Sequence, residues 1–161
     1  MAIAMKVEDY MARCGAKFEV VTHPRSRTSM ETAELAHVPG DRVVKSVILE
    51  DEEGMLMAVL PSTCSVRLGQ LGKDMHRRLR LATEDELGEV FPDCRIGAIP
   101  PLGTAYGVRT VMDDTLASQS EVYFEGGDHE CLVHMSGEQF MALMRDAERG
   151  HFSHRMRAVR R

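Results

Sequence analysis

A chain of 161 residues, of which 43% are apolar and 28% charged, is long enough to bury one hydrophobic core, and this composition excludes a disordered protein. No apolar run approaches the roughly 18 residues of a membrane span, and the N-terminus lacks the layout of a signal peptide, so we expect a cytoplasmic protein with no membrane partner. The four cysteines are scattered without a C-x-x-C pair, which favours reduced thiols over a zinc site or a disulfide framework.

The charge is unevenly distributed along the chain. Residues 145–161 hold six arginines against Asp146 and Glu148, a balance of +4, and because the whole chain carries −5, residues 1–144 carry −9. A body this acidic should not bind DNA or RNA by general electrostatic attraction, so any nucleic-acid contact must be local or depend on the tail or a partner. We therefore divide the chain into a folded domain over residues 1–144 and a basic C-terminal tail over residues 145–161, whose last seven residues are expected to be frayed and solvated.

Hydrophobic periodicity and turn residues predict alternating short helices and strands. In chain order they are a helix over residues 7–14, a strand over 18–23, a helix capped by Thr28 that runs to about His37, a hairpin of 43–49 and 55–60, a helix from Ser65 to Met75, a short helix capped by Thr83 and Glu86, strands over 108–112, 121–124 and 131–135, and a last helix capped by Ser136 and Gln139. Two predicted hairpins argue against a purely parallel sheet. The predicted fold is α+β: one domain with a mixed, mostly antiparallel and partly barrel-like sheet surrounded by helices.

One lysine lies inside an apolar strand. Lys45 shares a face with Val43, Val47 and Leu49, because side chains two positions apart in a strand point to the same side. An ammonium group there must find a partner or reach water, since burying an unpaired charge is costly. Either the stem packs on the valines and the amine reaches water at a sheet edge, or the amine has a function.

Residues 97–103, farther along the chain, form a loop rich in glycine and proline. Pro100 and Pro101 have no backbone N–H, and the flanking Gly97 and Gly103 permit close approach of another molecule. Such a stiff segment suits the binding of a water molecule or of sugar hydroxyls, although a tight structural turn has the same composition.

Common catalytic motifs are missing. The sequence has no G-x-S-x-G, G-x-x-x-x-G-K-[ST], H-E-x-x-H or strand-bound G-x-G-x-x-G motif, and no pair of histidines has ligand spacing within a predicted helix. We expect no metal site and no cofactor. His129 lies in a polar turn between two strands, where it could reach the mouth of a pocket or simply connect a hairpin.

Four elements in order resemble the YbaK/ProX family of aminoacyl-tRNA editing domains, which are related to the editing insertion of bacterial prolyl-tRNA synthetase. They are His23-Pro24 before a helix rich in Thr, Glu and Ala, the strand with Lys45, a G-x-x-x-P loop over residues 97–101, and a late strand that ends in a glycine-rich turn at 124–127. The resemblance spans residues 18–143. It supports the α+β fold with a mixed sheet.

The resemblance implies hydrolysis of the ester between a wrong amino acid and the 3′ ribose of tRNA, with no metal, cofactor or side-chain nucleophile. It implies catalytic roles for Lys45, Gly97 and Pro101, in which the loop positions water, the vicinal ribose hydroxyl assists, and the lysine anchors or polarises the substrate. It further implies substrate contacts from His23, Thr28, Ser46, Ile99, Pro100, Gly103, Glu125, Gly127 and His129. The amino acid removed stays open because residues at several of these positions differ between subgroups, and a compact pocket favours small side chains.

Two alternatives remain at this stage. One is a non-catalytic module of the same fold that binds a tRNA end, an aminoacyl-tRNA synthetase or a small metabolite. The other is an enzyme whose Lys45 forms a Schiff base with a carbonyl substrate. The expected partners of the editing enzyme are the 3′ end of a mischarged tRNA and an aminoacyl-tRNA synthetase.

Overall fold

A computed structural model describes residues 3–156, which form five α-helices and ten strands. Eight of these strands form one mixed sheet, and the other two pair with each other in a separate two-stranded sheet. The helices are α1 Met5–Arg13, α2 Ser29–Leu35, α3 Leu68–Met75, α4 Glu84–Val90 and α5 Gly137–Leu143. The strands are β1 Glu19–Thr22, β2 Val43–Asp51, β3 Gly54–Pro61, β4 Cys64–Val66, β5 Arg80–Leu81, β6 Arg109–Asp113, β7 Glu121–Glu125, β8 Cys131–Ser136, β9 Glu148–Gly150 and β10 Ser153–Arg155. Short 3₁₀ turns cover Gly40–Arg42, Gly103–Tyr106 and Asp114–Ser118.

Side-chain caps fix the starts of three helices. The hydroxyls of Thr28, Thr83 and Ser136 each accept a hydrogen bond from the backbone N–H three residues later, which satisfies a donor that has no partner inside the helix. At Thr83 the Glu86 side chain also accepts from the Thr83 N–H and completes a capping box. The predicted starts of α2, α4 and α5 are confirmed.

The main sheet has the order β1-β8-β7-β2-β3-β6-β9, and β5 pairs with β2 beside this path. The hairpins β2–β3 and β7–β8 are antiparallel, as predicted, whereas β2–β7, β3–β6 and β6–β9 are parallel. The sheet is therefore mixed, and the predicted fold class is confirmed.

Apolar residues pack on both faces of the β2–β3 hairpin because alternate side chains of a strand point to opposite sides. Val44, Ile48 and Val59 belong to the larger cluster, with Phe124 and Phe140. Leu49, Leu56, Ala58 and Leu60 belong to the smaller one, with Leu71 and Phe152. Among the described helices, none has the length and apolar character needed to cross a bilayer.

Two sequence expectations differ from the structure. The helix predicted from Ser65 begins instead at Leu68, because residues 64–66 pair with β10 as strand β4. The predicted boundary after residue 144 does not end the fold either, since β9 joins the main sheet and Phe152 is fully buried. Of the predicted solvated end, residues 157–161 lie outside the described part of the chain.

Candidate active site

The site begins at a gap in the sheet along one edge of β2. On one side β2 pairs with β3 over its whole length, but on the other it pairs with β7 only through Val43 and Val44 and with β5 only through Leu49 and Glu50. Within residues 3–156, no strand covers residues 45–47 on that edge. The Ser62 N–H, at the end of β3, donates to the Val43 carbonyl of β2. Peptide groups of successive residues in an antiparallel strand point alternately to its two edges, so the N–H and C=O groups of odd-numbered residues of β2 point to β3. Ser46 therefore directs its own N–H and C=O into the gap.

A cavity of about 560 Å³ occupies this gap. Six of the predicted site residues line it, and they come from four separate parts of the chain: Thr28, Lys45, Ser46, Gly97, Ile99 and Glu125. The structure thus brings the lysine strand and the glycine loop to one cavity, which is large enough for a small ligand.

Lys45 supplies an uncompensated positive charge to the cavity wall. Its side chain is half-buried and, within residues 3–156, makes no ion pair or hydrogen bond. Burial lowers the pKa of the Lys45 ammonium, because removal of water disfavours the charged form. The amine is therefore placed to bind a negative or carbonyl oxygen of a ligand.

The loop over residues 97–101 covers the open edge of β2. The Ser46 hydroxyl donates to the Ile99 carbonyl over 2.8 Å and fixes the loop against the strand. Gly97 has φ +86°, a conformation that favours glycine. In the described part of the chain the N–H groups of Gly97 and Ile99 donate no hydrogen bond.

Glu125 is the one carboxylate among the described residues that line the cavity. The Thr32 hydroxyl donates to its Oε1 over 2.6 Å, and His23 Nε2 lies 3.3 Å from the same oxygen. Its Oε2 is buried and has no hydrogen-bond partner within residues 3–156. Burial raises the pKa of Glu125, while Thr32 and the histidines His23 and His129 act in the opposite direction.

His23 and His129 lie behind the cavity wall rather than in it. His129 Nε2 is 2.6 Å from the Ile96 carbonyl, which can only accept, so this nitrogen carries the proton. A Cβ on Gly97 would stand 3.1 Å from the His129 ring. The ring therefore contacts the loop at Ile96 and Gly97 outside the cavity lining, and a substrate contact from His129 stays a prediction. His23 likewise donates from Nδ1 to the Pro24 carbonyl and faces Glu125.

The remaining predicted residues are not in the cavity lining. Pro100 and Pro101 follow Ile99 in the sequence; both are buried, and their fixed φ angles stiffen the loop. A Cβ on Gly103 would collide with the Thr110 hydroxyl, so Gly103 is required for packing against β6. Gly127 has φ +126° and accepts a hydrogen bond from the Arg95 N–H, next to α1. The structure places Gly103 and Gly127 outside the cavity lining, and their contact with a substrate stays a prediction.

Several cavity residues were not predicted from the sequence. Arg27 and Met30 flank the N-cap of α2, Leu87 comes from α4, and Met156 directly follows β10. Arg27 is exposed and has no ion pair within the described residues. The position of Arg27 beside the cap of α2 was the one feature of the sequence that could have indicated it as a cavity residue. Leu87 and Met156 lie at the cavity only because of long-range packing, which no local pattern indicates.

Comparisons with known proteins agree with this arrangement. A family model described as an aminoacyl-tRNA editing domain matches residues 23–143. A segment of 111 residues is 32% identical to the proline–tRNA ligase of Bordetella petrii and covers 64% of this chain but only 19% of the ligase.

Solved structures share the fold over nearly the whole chain. One is described as a candidate trans-editing enzyme for prolyl-tRNA synthetase; it has a TM-score of 0.82 and 25% identity, with coverage of 94% of this chain and 96% of that one. A candidate signal transduction protein of Marinobacter aquaeolei has a TM-score of 0.73 and 23% identity, over 92% of this chain and 30% of that chain, and shows the fold alone. Since the family model spans most of the folded chain and includes every element of the cavity except its C-terminal contact Met156, the protein belongs to the family of aminoacyl-tRNA editing domains.

Proposed function

We propose that this protein is a trans-acting deacylase that hydrolyses the ester of a mischarged tRNA. The observation that carries the proposal is the unpaired Lys45 ammonium in the same cavity as the Gly97 loop and the open edge at Ser46. The likeness to a candidate trans-editing enzyme over almost the full length of both chains supports action in trans.

The chemistry requires attack by water on an ester carbonyl. Water adds to the carbonyl carbon, and negative charge develops on the carbonyl oxygen. The bond between the carbonyl carbon and the ribose oxygen then breaks, as the ribose oxygen takes up a proton. The vicinal ribose hydroxyl can relay this proton, so no protein base is needed. An ester is already activated relative to an amide, so positioning and electrostatics supply the acceleration.

Each part of the cavity has a role in this scheme. The Lys45 ammonium binds the carbonyl oxygen as charge develops on it, and desolvation strengthens that interaction. The free N–H groups of Gly97 and Ile99 hold the attacking water or the ribose. Arg27, exposed at the rim, attracts the phosphates of the tRNA 3′ end, where a local cation is needed because the rest of the molecule is acidic.

The test is release of amino acid from a panel of mischarged tRNAs. At least one member should be hydrolysed, and Lys45→Met, which keeps the apolar stem, should reduce kcat/KM about 10²- to 10³-fold, as expected for loss of an oxyanion donor. Lys73→Met removes an exposed lysine of α3 outside the cavity and should leave the rate unchanged. No release from any tRNA would contradict the proposal and favour a binding module, and trapping of a lysine adduct by borohydride would favour Schiff-base chemistry.

A further inference from the structure

We infer that Glu125 determines specificity by binding the α-ammonium group of the substrate's amino acid through its free oxygen Oε2. This inference rests on the proposed function and deepens it, because it defines the substrate class as esters with a free α-amine. Peptidyl, N-acylated and α-hydroxyacyl esters would be hydrolysed more slowly.

The first argument is the incomplete hydrogen bonding of a buried carboxylate. Glu125 is only 5% exposed, its Oε1 accepts from Thr32, and its Oε2 has no partner among residues 3–156. Buried carboxylates in folded proteins nearly always have their oxygens paired, because an unpaired one loses its hydration without replacement. Because Glu125 lines the cavity, we therefore expect a ligand there to donate a hydrogen bond to this oxygen.

The second argument is that no nearby side chain can complete it. His23 and His129 each have one ring nitrogen committed to a backbone carbonyl, of Pro24 and Ile96 respectively. The other nitrogen of His23 faces Oε1 rather than Oε2, and Nδ1 of His129 has no hydrogen-bond partner within the described chain. Within residues 3–156 no side chain donates to Oε2, and we infer that the donor comes from the cavity that Glu125 lines.

The third argument is charge complementarity. The described residues that line the cavity include two cations, Lys45 and Arg27, and one anion, Glu125. An aminoacylated nucleotide carries one cation, the α-ammonium, together with an ester oxygen that becomes negative during reaction and anionic phosphates. Only Glu125 can compensate the ammonium, which leaves the two cations for the oxygens.

The network behind Glu125 holds its carboxylate in place. Thr32 lies in α2 and bonds Oε1, while the Ser26 hydroxyl lies within hydrogen-bond distance of the Thr32 hydroxyl. Oε1 is anchored on the protein side, so Oε2 keeps its position without the cost of ordering a flexible side chain. Burial raises the pKa of Glu125, and an arriving ammonium would stabilise its charged form.

The experiment compares three forms of one mischarged tRNA: the free aminoacyl ester, its N-acetyl derivative, and the α-hydroxyacyl ester in which OH replaces the amine. The wild-type protein should hydrolyse the free amine form at least about tenfold faster in kcat/KM, as expected for a hydrogen-bonded charge pair. In Glu125→Gln this preference should disappear because the rate falls for the amine form and not for the α-hydroxyacyl form. Glu130→Gln changes a neighbouring carboxylate outside the cavity lining and should keep the preference.

The outcomes separate this inference from the proposed function. Equal hydrolysis of all three esters by the wild-type protein would overturn the ammonium site while the deacylase function stands, and this comparison needs no folded variant. If no ester is hydrolysed, the proposed function fails, and binding of a non-hydrolysable 3′-aminoacylamino-3′-deoxyadenosine still decides the question. Tighter binding of its free-amine form than of its N-acetyl form supports the site, and equal binding refutes it.

Discussion

A backbone conformation at Gly97 controls the wall of the cavity. With φ +86°, this residue turns the chain, and the carbonyl of Ile99, two residues later, accepts a hydrogen bond from the Ser46 hydroxyl. A methyl group at residue 97 would meet the His129 ring at 3.1 Å and the Arg27 carbonyl at 3.2 Å. The role of Gly97 is therefore to permit close packing of the loop on its support.

Gly97→Ala should lower the free energy of unfolding by about 1–2 kcal/mol, the cost of a Cβ in a left-handed conformation, and should reduce deacylation by moving the loop away from Lys45. Urea unfolding and single-turnover hydrolysis measure the two effects. Gly107→Ala is the matched control, because Gly107 has φ +68° but no atom within 4 Å of the added methyl. It should show a similar loss of stability and an unchanged rate. Wild-type turnover in Gly97→Ala would contradict the position assigned to the loop.

At the scale of elements, the β2–β3 hairpin is held at its turn by a buried ion pair. Arg77 donates from Nε and Nη2 to the two carboxylate oxygens of Asp51 and also to the Gly54 carbonyl. Both side chains of the pair are only 4% exposed. This interaction ties the end of α3 to the hairpin that carries Lys45. Bonding to Arg77 lowers the pKa of Asp51 from 3.8 to about 2.

Since the pKa of Asp51 is lower in the folded than in the unfolded protein, its stabilising effect is complete above about pH 4 and is lost as the pH falls toward 2. Arg77→Met should therefore be less stable than wild type at pH 7, and this difference should shrink between pH 4 and 2. Thermal unfolding across this range gives the measurement. Arg109→Met breaks an exposed pair with Glu148, with side chains 51% and 47% exposed, and should change stability little. A difference for Arg77→Met that is independent of pH would show that packing, not charge, holds the turn.

Local signals predicted the elements well where short-range chemistry decides them. Thr83 with Glu86 and Ser136 with Gln139 mark helix starts because a cap and its target N–H lie three residues apart. Ser65 has the same capping ability but lies in a strand. Its partner is His154, 89 residues later, and no local pattern reports that pairing.

At the scale of the whole molecule, the cavity forms where distant segments meet: the start of α2, the open edge of β2 and the loop at residues 97–99. Local sequence pattern identified Lys45 and the loop that begins at Gly97, because each is unusual in its own surroundings, whereas Glu125 came only from the family resemblance. It could not identify Val44 and Ile48 as cavity residues. In a fully paired strand they would be ordinary core residues, and only the gap between β7 and β5 opens this edge of the strand.

The C-terminal segment completes this arrangement. Strand β9 pairs in parallel with β6, and β10 pairs with β4 and leads to Met156 at the cavity. Between the two strands the Phe152 side chain is 1% exposed in the smaller apolar cluster. The Phe152 and Ser153 N–H groups both donate to Asp113 at 3.1 Å. Residues 148–155 are thus a structural part of the domain and not an appended tail.

Phe152→Ala should lower the free energy of unfolding by about 3–5 kcal/mol, because it leaves a cavity in a cluster that also contains Leu49 and Leu56 of the hairpin. Denaturant unfolding gives the measurement. Phe18→Ala is the control: Phe18 is only partly buried, so the same truncation should cost less. Because the hairpin carries Lys45, Phe152→Ala should also loosen the cavity and weaken binding of an aminoacyl-adenosine analogue under conditions where the variant is folded. Equal costs for the two phenylalanines would contradict a structural role for the C-terminal segment.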